Sequence, residues 1–338
     1  MKQNRIKVRA CGADIGNNST KTSQGICFPS KVTRGEHLDR NSLAIKVKWR
    51  GEFFIIGDST DAMQFKDVNK VYSDEYKICL LTSIGLSYPD GIINTVVGIG
   101  LPYDEWGNSR FKYKEEIEKL KDEEITIYLD SDDTVGIKKY INIERCIVSA
   151  EGSIEDFISD DELPCMVVDF GGRTLDLTTY VLSRVYENNE YKNKLAINGT
   201  TDTSLSFDDV LHKIKNELHE KGYTVKTDQE LIAILQNDEL KTFGSTINLK
   251  RIRDKHMNIY CHKAIQHLRN NQLEKFPYVK FIGGCSEIVL EYIAKILNLP
   301  EGTIDILPNS QFFNAINFGQ QAIKCIDAGE YEILSDEY

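Results

Sequence analysis

No two cysteines in this chain have CxxC spacing, and no tract is of low complexity. The eight cysteines, at 11, 27, 79, 146, 165, 261, 285 and 325, are scattered. In a long chain that pattern reads as reduced core thiols rather than a disulfide framework. Long apolar runs are also missing. The strongest, Ile92 to Leu101, is broken by Asn94, Gly98 and Gly100, far from the run of about 18 apolar residues that a spanning helix needs. Met1 to Arg9 is basic but leads into no apolar segment, so no signal peptide is read and a cytoplasmic protein is expected. Excess positive charge is absent too: 41 Lys and Arg stand against 52 Asp and Glu, a net charge of −11. Phosphate contacts need clustered Lys and Arg, so direct nucleic-acid binding is excluded as a primary role.

What is present is an ordinary globular balance, 41% apolar and 28% charged over 338 residues. At roughly 150 residues per domain this makes about two domains. Ile6 to Cys11 alternates like a strand, a polar turn follows at 14–21, and Ile26 to Pro29 reads as the returning strand. Further strands are expected at Ala44–Trp49, Phe53–Gly57, Ile92–Leu101 and, with breaks, Ile125–Val148. A charged amphipathic helix is expected over Phe111–Lys121, and a short helix from about Glu151 to Ile158. The acidic stretch Ser159–Glu162 before Leu163-Pro164 marks a domain boundary, giving domains 1–164 and 165–314. Beyond it, Cys165–Asp169 and Leu175–Leu182 read as strands and 207–276 as mostly helical. Lys280–Ile282 reads as a strand and Glu287–Leu297 as a helix. A last helix is expected over Asn314 to Ala328, and this tail, about 315–338, is expected to pack back on the first domain.

One turn occurs twice. Asp14-x-Gly16-x-x-Ser19 and Asp169-x-Gly171-x-x-Thr174 are offset by 155 at each of the three positions, and each sits between two strands. Glycine in such a turn lets backbone N–H groups approach an anion, and neighbouring hydroxyls and amides add donors. A lone Asp at a strand end suits a hydrated Mg²⁺. One such turn is an ordinary hairpin tip; one in each half points to a duplicated architecture and a triphosphate.

These residues resemble the actin-like ATPase superfamily. Asp14-Ile15-Gly16-Asn17-Asn18-Ser19-Thr20-Lys21 is similar to its first phosphate loop. Asp169-Phe170-Gly171-Gly172-Arg173-Thr174-Leu175-Asp176 is similar to the second, in the form of the bacterial plasmid-segregation actins, ParM-like proteins. Phe281-Ile282-Gly283-Gly284-Cys285-Ser286 resembles the adenosine motif, and Val148-Ser149-Ala150-Glu151-Gly152 the first connecting segment. Asn314-Ala315-Ile316-Asn317-Phe318-Gly319 resembles the second, with Asn317 where the pattern has Gly. Asn17, Cys285 and Ser286 are further departures.

The resemblance implies a two-domain α/β fold of the duplicated ribonuclease H-like kind, with a nucleotide cleft between the domains. It implies that ATP or GTP binds with Mg²⁺ and is hydrolysed. Gly16, Asn17, Asn18, Ser19, Thr20 and Lys21 would meet the β-phosphate, and Gly171, Gly172, Arg173 and Thr174 the γ-phosphate. Asp14 and Asp169 would orient hydrated Mg²⁺, and Glu151 would position the attacking water; a helix N-terminal carboxylate is its ordinary reading. Asp176 is read as either structural or at the site. Gly283, Gly284 and Cys285 would pass the nucleoside, and Lys213 and Glu217 are candidates for the base, or else an exposed i,i+4 pair. His256, Cys261, His262 and His267 fit no common zinc spacing, and Lys250–Lys255 reads as a solvated helix face.

By the same resemblance the chain would self-associate head to tail into a filament and move plasmid DNA through a small ParR-like DNA-binding adaptor. It would touch neither nucleic acid nor membrane directly. A small-molecule kinase and a non-polymerising nucleotide-binding regulator on the same fold remain as alternatives.

Overall fold

A computed structural model describes residues 6–36, 44–57, 63–64, 69–128, 135–187, 190–225, 228–242, 244–300, 303–328 and 331–334. The chain divides into two compact units, Met1–Ser153 with Phe312–Tyr338, and Ile154–Gln311. The first crossing thus falls before the acidic stretch, not after it. The reason lies in what residues 154–164 hold. The Ile154 amide donates to the Tyr180 hydroxyl at 3.2 Å, and Glu162 pairs with Lys280 at 2.5 Å, both within the second unit.

In the first unit the strands Cys27–Pro29, Ser19–Thr22, Ile6–Ile15, Ile92–Leu101 and Gly136–Ala150 are neighbours in that order. The first two steps are antiparallel and the last two parallel. In the second unit Glu190–Asp202, Leu175–Glu187, Cys165–Phe170, Tyr278–Ile282 and Ile304–Ile306 follow one another with the same alternation of direction. The two units therefore carry the same five-strand core. The central parallel strands are near-continuous apolar runs, as burial on both faces demands.

The first unit extends this core through Glu123–Tyr128, Ile45–Trp49, Glu52–Ile56, Lys31–Arg34 and Met63–Gln64, and adds Tyr331–Ile333 beside Ile6–Val8. Its helix Asp74–Ser87 starts at Ser73, whose hydroxyl accepts from the Tyr76 amide at 3.1 Å. Beyond its end, Lys139 Nζ donates to the carbonyls of Tyr88, Pro89 and Asp90 at 2.7, 3.0 and 2.8 Å. This helix is buried on most of its circumference. It therefore has no apolar stripe, and its sequence reads as mixed. The helix Phe313–Asp327 lies on Ile6–Ile15 and Ile92–Leu101 where Gly12, Gly98 and Gly100 leave room. A methyl on Gly12 or Gly98 would overlap the carbonyl of Ala315 or Phe318, and one on Gly100 the Phe318 ring.

The second unit packs the helices Phe207–Glu220, Lys250–Asn270 and Ser286–Leu297 over its sheet, with Asp228–Asn237 and a hairpin, Glu239–Thr242 with Ser245–Asn248.

Several expectations are corrected. Residues 151–158 form turns rather than a helix, because left-handed Gly152, at φ +69°, breaks the run. The strand from Leu175 reaches Glu187 rather than Leu182, held by its pairing with Glu190–Asp202. The last helix, by contrast, is Phe313–Asp327, as expected, and the strand Tyr331–Ile333 follows it. Within the basic run, Arg253 is not solvated. It is 7% exposed, donates to the Leu235 carbonyl at 2.9 Å and pairs with Asp238 at 3.0 Å.

Candidate functional site

The first turn is closed by the Gly16 amide donating to the Ser19 carbonyl at 3.1 Å. Pairing sets Asp14 opposite Lys21, and Lys21 Nζ lies 3.9 Å from the Asp14 carboxylate. The Asn18 carbonyl accepts from the Ser30 amide at 2.9 Å, which fixes the tip against the next strand. Gly16, Asn17, Asn18 and Ser19 are half-exposed at the tip. Thr20 is not. Its side chain is buried and shares a 2.8 Å hydrogen bond with the Ser30 hydroxyl. Strand alternation turns it inward, so of the loop residues named for a phosphate Thr20 has its side chain in the core.

The second turn repeats the first. The Gly171 amide donates to the Thr174 carbonyl at 3.1 Å, and Asp169 stands opposite Asp176. Asp176 accepts from the hydroxyls of Thr174 and Thr201, each at 2.6 Å, and is buried. It organises the turn, and the Thr174 proton is committed to it. The Gly172 carbonyl accepts from the Asp208 amide at 2.8 Å and the Ser206 hydroxyl at 3.0 Å, docking the turn on the start of helix Phe207–Glu220. Arg173 lies 3.9 Å from the Asp208 carboxylate.

Gly283 meets this turn directly. Its φ is +96°, a methyl there would overlap Asp169 Oδ1, and the Phe170 carbonyl would lie 2.6 Å away. The Cys285 amide donates back to that carbonyl at 3.4 Å. Within the second unit, then, the second phosphate-loop motif and the Gly283–Gly284–Cys285 segment form one surface. Space beside Gly284 is open, its nearest neighbour being Gln311 Cγ at 3.8 Å.

Glu151 follows the strand Gly136–Ala150, and its amide donates to the Leu101 carbonyl at 2.7 Å. The next residues are tied to the C-terminal helix. The Gly152 amide donates to Asn314 Oδ1 at 3.2 Å, and Asn317 Nδ2 donates to the Ser153 carbonyl at 2.7 Å. Below lies Tyr76, buried, with its pKa raised by desolvation and then by the fields of Tyr113, Cys146, Asp14 and Glu151. The first unit thus gathers Asp14, Lys21 and Glu151 around one end of its parallel strands.

Among the described residues no ion pair joins Lys213 to Glu217. Lys213 is exposed, while Glu217 accepts from Lys255 at 2.7 Å and His256 at 2.9 Å, bonds that hold its pKa below the usual range. The cause is the neighbouring helix Lys250–Asn270, which supplies both donors. His267 pairs with Asp202 at 3.1 Å, and the described residues hold no cluster of three or more His, Cys, Asp or Glu side chains that could hold a metal ion.

Two residues escaped sequence reasoning. Lys70 donates from Nζ to the Ile15 carbonyl at 2.9 Å, placing a second ammonium at the first turn. Tyr76 lies beneath it, the ring centroid 5.8 Å from Lys70 Nζ. Neither belongs to a spaced motif, and only the fold brings 70–76 to residue 15.

Residues 12–153 match the family model of the N-terminal domain of actin-like proteins. No curated protein matches the sequence. Among solved structures, a 15-stranded ParM filament from Clostridium botulinum is similar at 16% identity and a TM-score of 0.71, over 94% of this chain and 100% of that one. The archaeal actin homologue Ta0583 in complex with ADP is 17% identical with a TM-score of 0.71, over 94% and 100%. A Bacillus thuringiensis ParM with AMPPNP is 15% identical with a TM-score of 0.65, over 94% and 99%. The fold is thus the two-domain actin-like one that the resemblance implies. No described helix is long and apolar enough to cross a membrane.

Proposed function

We propose that this chain, actin-like in fold, is a nucleotide-dependent, filament-forming ATPase that drives plasmid DNA segregation through a small DNA-binding adaptor. One observation carries the reading: the same glycine-closed turn ends the same strand of the same five-strand core twice, with Asp14 and Asp169 at matching positions.

The residues fit a nucleoside triphosphate with Mg²⁺. Each turn offers half-exposed backbone beside a glycine, and the Gly283 segment lies where a side chain would collide with the second turn. In this proposal Gly16 to Ser19 hold the β-phosphate by backbone donors, with Lys21 and Lys70 adding positive charge. Gly171, Gly172 and the Thr174 backbone take the γ-phosphate. Asp14 and Asp169 would hold a hydrated Mg²⁺, which would supply positive charge beside the phosphates. Gly283, Gly284 and Cys285 pass the nucleoside. Glu151 accepts a hydrogen bond from the attacking water and aligns it. Such hydrolysis is mostly positioning and charge stabilisation.

Support for assembly comes from similar structures that are filaments, the 15-stranded ParM filament and an Alp12 filament. A heterologous contact that does not close yields a helical polymer. The net charge of −11 suits a filament that meets an adaptor rather than DNA, acting in the cytoplasm. The test is light scattering after ATP, GTP or a non-hydrolysable analogue is added with Mg²⁺. A nucleotide-triggered rise that decays with phosphate release supports the reading. A flat trace at tens of micromolar protein overturns it.

A further inference from the structure

We infer that Asn317, acting with Asn314, is a positioning residue for Glu151: the two amides clamp the turn that carries it. The inference rests on the role proposed for Glu151 above.

The turn has a loose point. Gly152 adopts φ +69°, and glycine is the residue with the widest backbone freedom. Left alone, it would let Glu151 swing about the end of its strand. On the strand side the Glu151 amide is held by the Leu101 carbonyl. On the far side, both the donor of Gly152 and the acceptor of Ser153 are taken by side chains from the first turns of one helix. Asn314 and Asn317 are three residues apart and so lie on one helix face.

That helix is itself immobilised. It seats on Gly12, Gly98 and Gly100 so closely that no Cβ fits beneath it. The clamp is therefore anchored to the strand that delivers Asp14 and to Ile92–Leu101, the parallel neighbour of the strand that delivers Glu151. Asn317 is 1% exposed, and a buried amide is costly unless its bonds are made. An apolar or small residue would suit that position, and the ParM-like pattern has Gly there. Asn is explained by what it donates to. Since both ends of the glycine are fixed, the backbone from which the Glu151 side chain extends is held in one place.

The test compares wild type, Asn317→Ala, Asn314→Ala and Glu151→Ala. Each is assayed for hydrogen exchange of the amides at 150–154 without nucleotide, for ATP affinity by equilibrium binding, and for kcat. For Asn317→Ala we expect faster exchange confined to the turn, unchanged ATP affinity, and a kcat lower by roughly tenfold to a hundredfold, the scale of an ångström-sized misplacement. Asn314→Ala, at a half-buried site, repeats the pattern more weakly and serves if Asn317→Ala does not fold. A fall in melting temperature and affinity together, with kcat retained, would mean a merely structural residue and overturn the inference. So would wild-type exchange at 150–154, or wild-type kcat in a variant whose turn exchanges faster. If Glu151→Ala itself hydrolyses ATP at the wild-type rate, the role of Glu151 fails first and the inference falls with it.

Discussion

Lys21 and Asp176 hold the same register position in two copies of one turn, and they carry opposite charges. Lys21 stands across the strand pair from Asp14, and Asp176 across from Asp169. Duplication has thus left one turn with a carboxylate and an ammonium, the other with two carboxylates. Like charges directly opposite destabilise a strand pair. The second turn meets this with the Thr174 and Thr201 hydroxyls, which satisfy Asp176 from both sides. The first turn suits an anion, and the second suits an anion only when a cation comes with it.

Replacing Glu151 with Ala is expected to leave ATP binding intact and to lower hydrolysis by about a hundredfold or more, the usual worth of a positioned proton acceptor. Single-turnover phosphate release together with equilibrium binding checks it. In light scattering the assembled state should outlast that of the wild type.

Asp176→Ala is expected to destabilise the second unit by about 1–3 kcal/mol, because two hydroxyls lose their acceptor. Urea unfolding followed by tyrosine fluorescence measures this. The double variant with Thr201→Val should cost less than the sum of the two single changes, since the two groups share one bond.

Gly283→Ala and Gly284→Ala should part company. A methyl on Gly283 has to displace Asp169 and the Phe170 carbonyl and adopts an unfavourable φ, so the variant should lose both stability and nucleotide binding. Gly284 has open space and ordinary φ, so its variant should melt like wild type. If the nucleoside passes there, ATP affinity alone should fall.

Acid should weaken the second unit through Glu162. Its hydrogen bond from Lys280, then those from Ser159, hold its pKa below the usual range. A group depressed in the folded state contributes stability above its unfolded pKa and loses that contribution as pH falls through the folded one. Stability measured by urea titration should therefore decline as pH drops through and below the usual glutamate range. Glu162→Gln should flatten that part of the decline.

The motifs that were legible in the sequence are those whose chemistry needs a fixed local spacing. Asp14 to Lys21 and Asp169 to Asp176 are each read from eight adjacent residues, and the structure folds both into the same turn. Gly283 was legible for the same reason. What was not legible depends on distance along the chain. Lys70 reaches Ile15 only because helix Asp74–Ser87 starts beside the first turn. Glu217 was read as partner to a residue four positions away, yet its partners come from residues 255 and 256. Thr20 was read with its loop, although strand alternation sends it to the core. Asn317 looked like a departure from a pattern; its amide is accounted for only once Ser153 is seen beneath it.

The seat of helix Phe313–Asp327 has a consequence for synthesis. The described strands of the second unit leave the ribosome before this helix and the strand Tyr331–Ile333 do, and those later elements belong with the strand Ile6–Ile15. Chains fold from the N-terminus as they emerge. The second unit can therefore close while the first still shows the bare glycine face of Gly12, Gly98 and Gly100 to its surroundings. Because Asn314 and Asn317 arrive on that later helix, the Glu151 turn is set only after the strands of the second unit have been made.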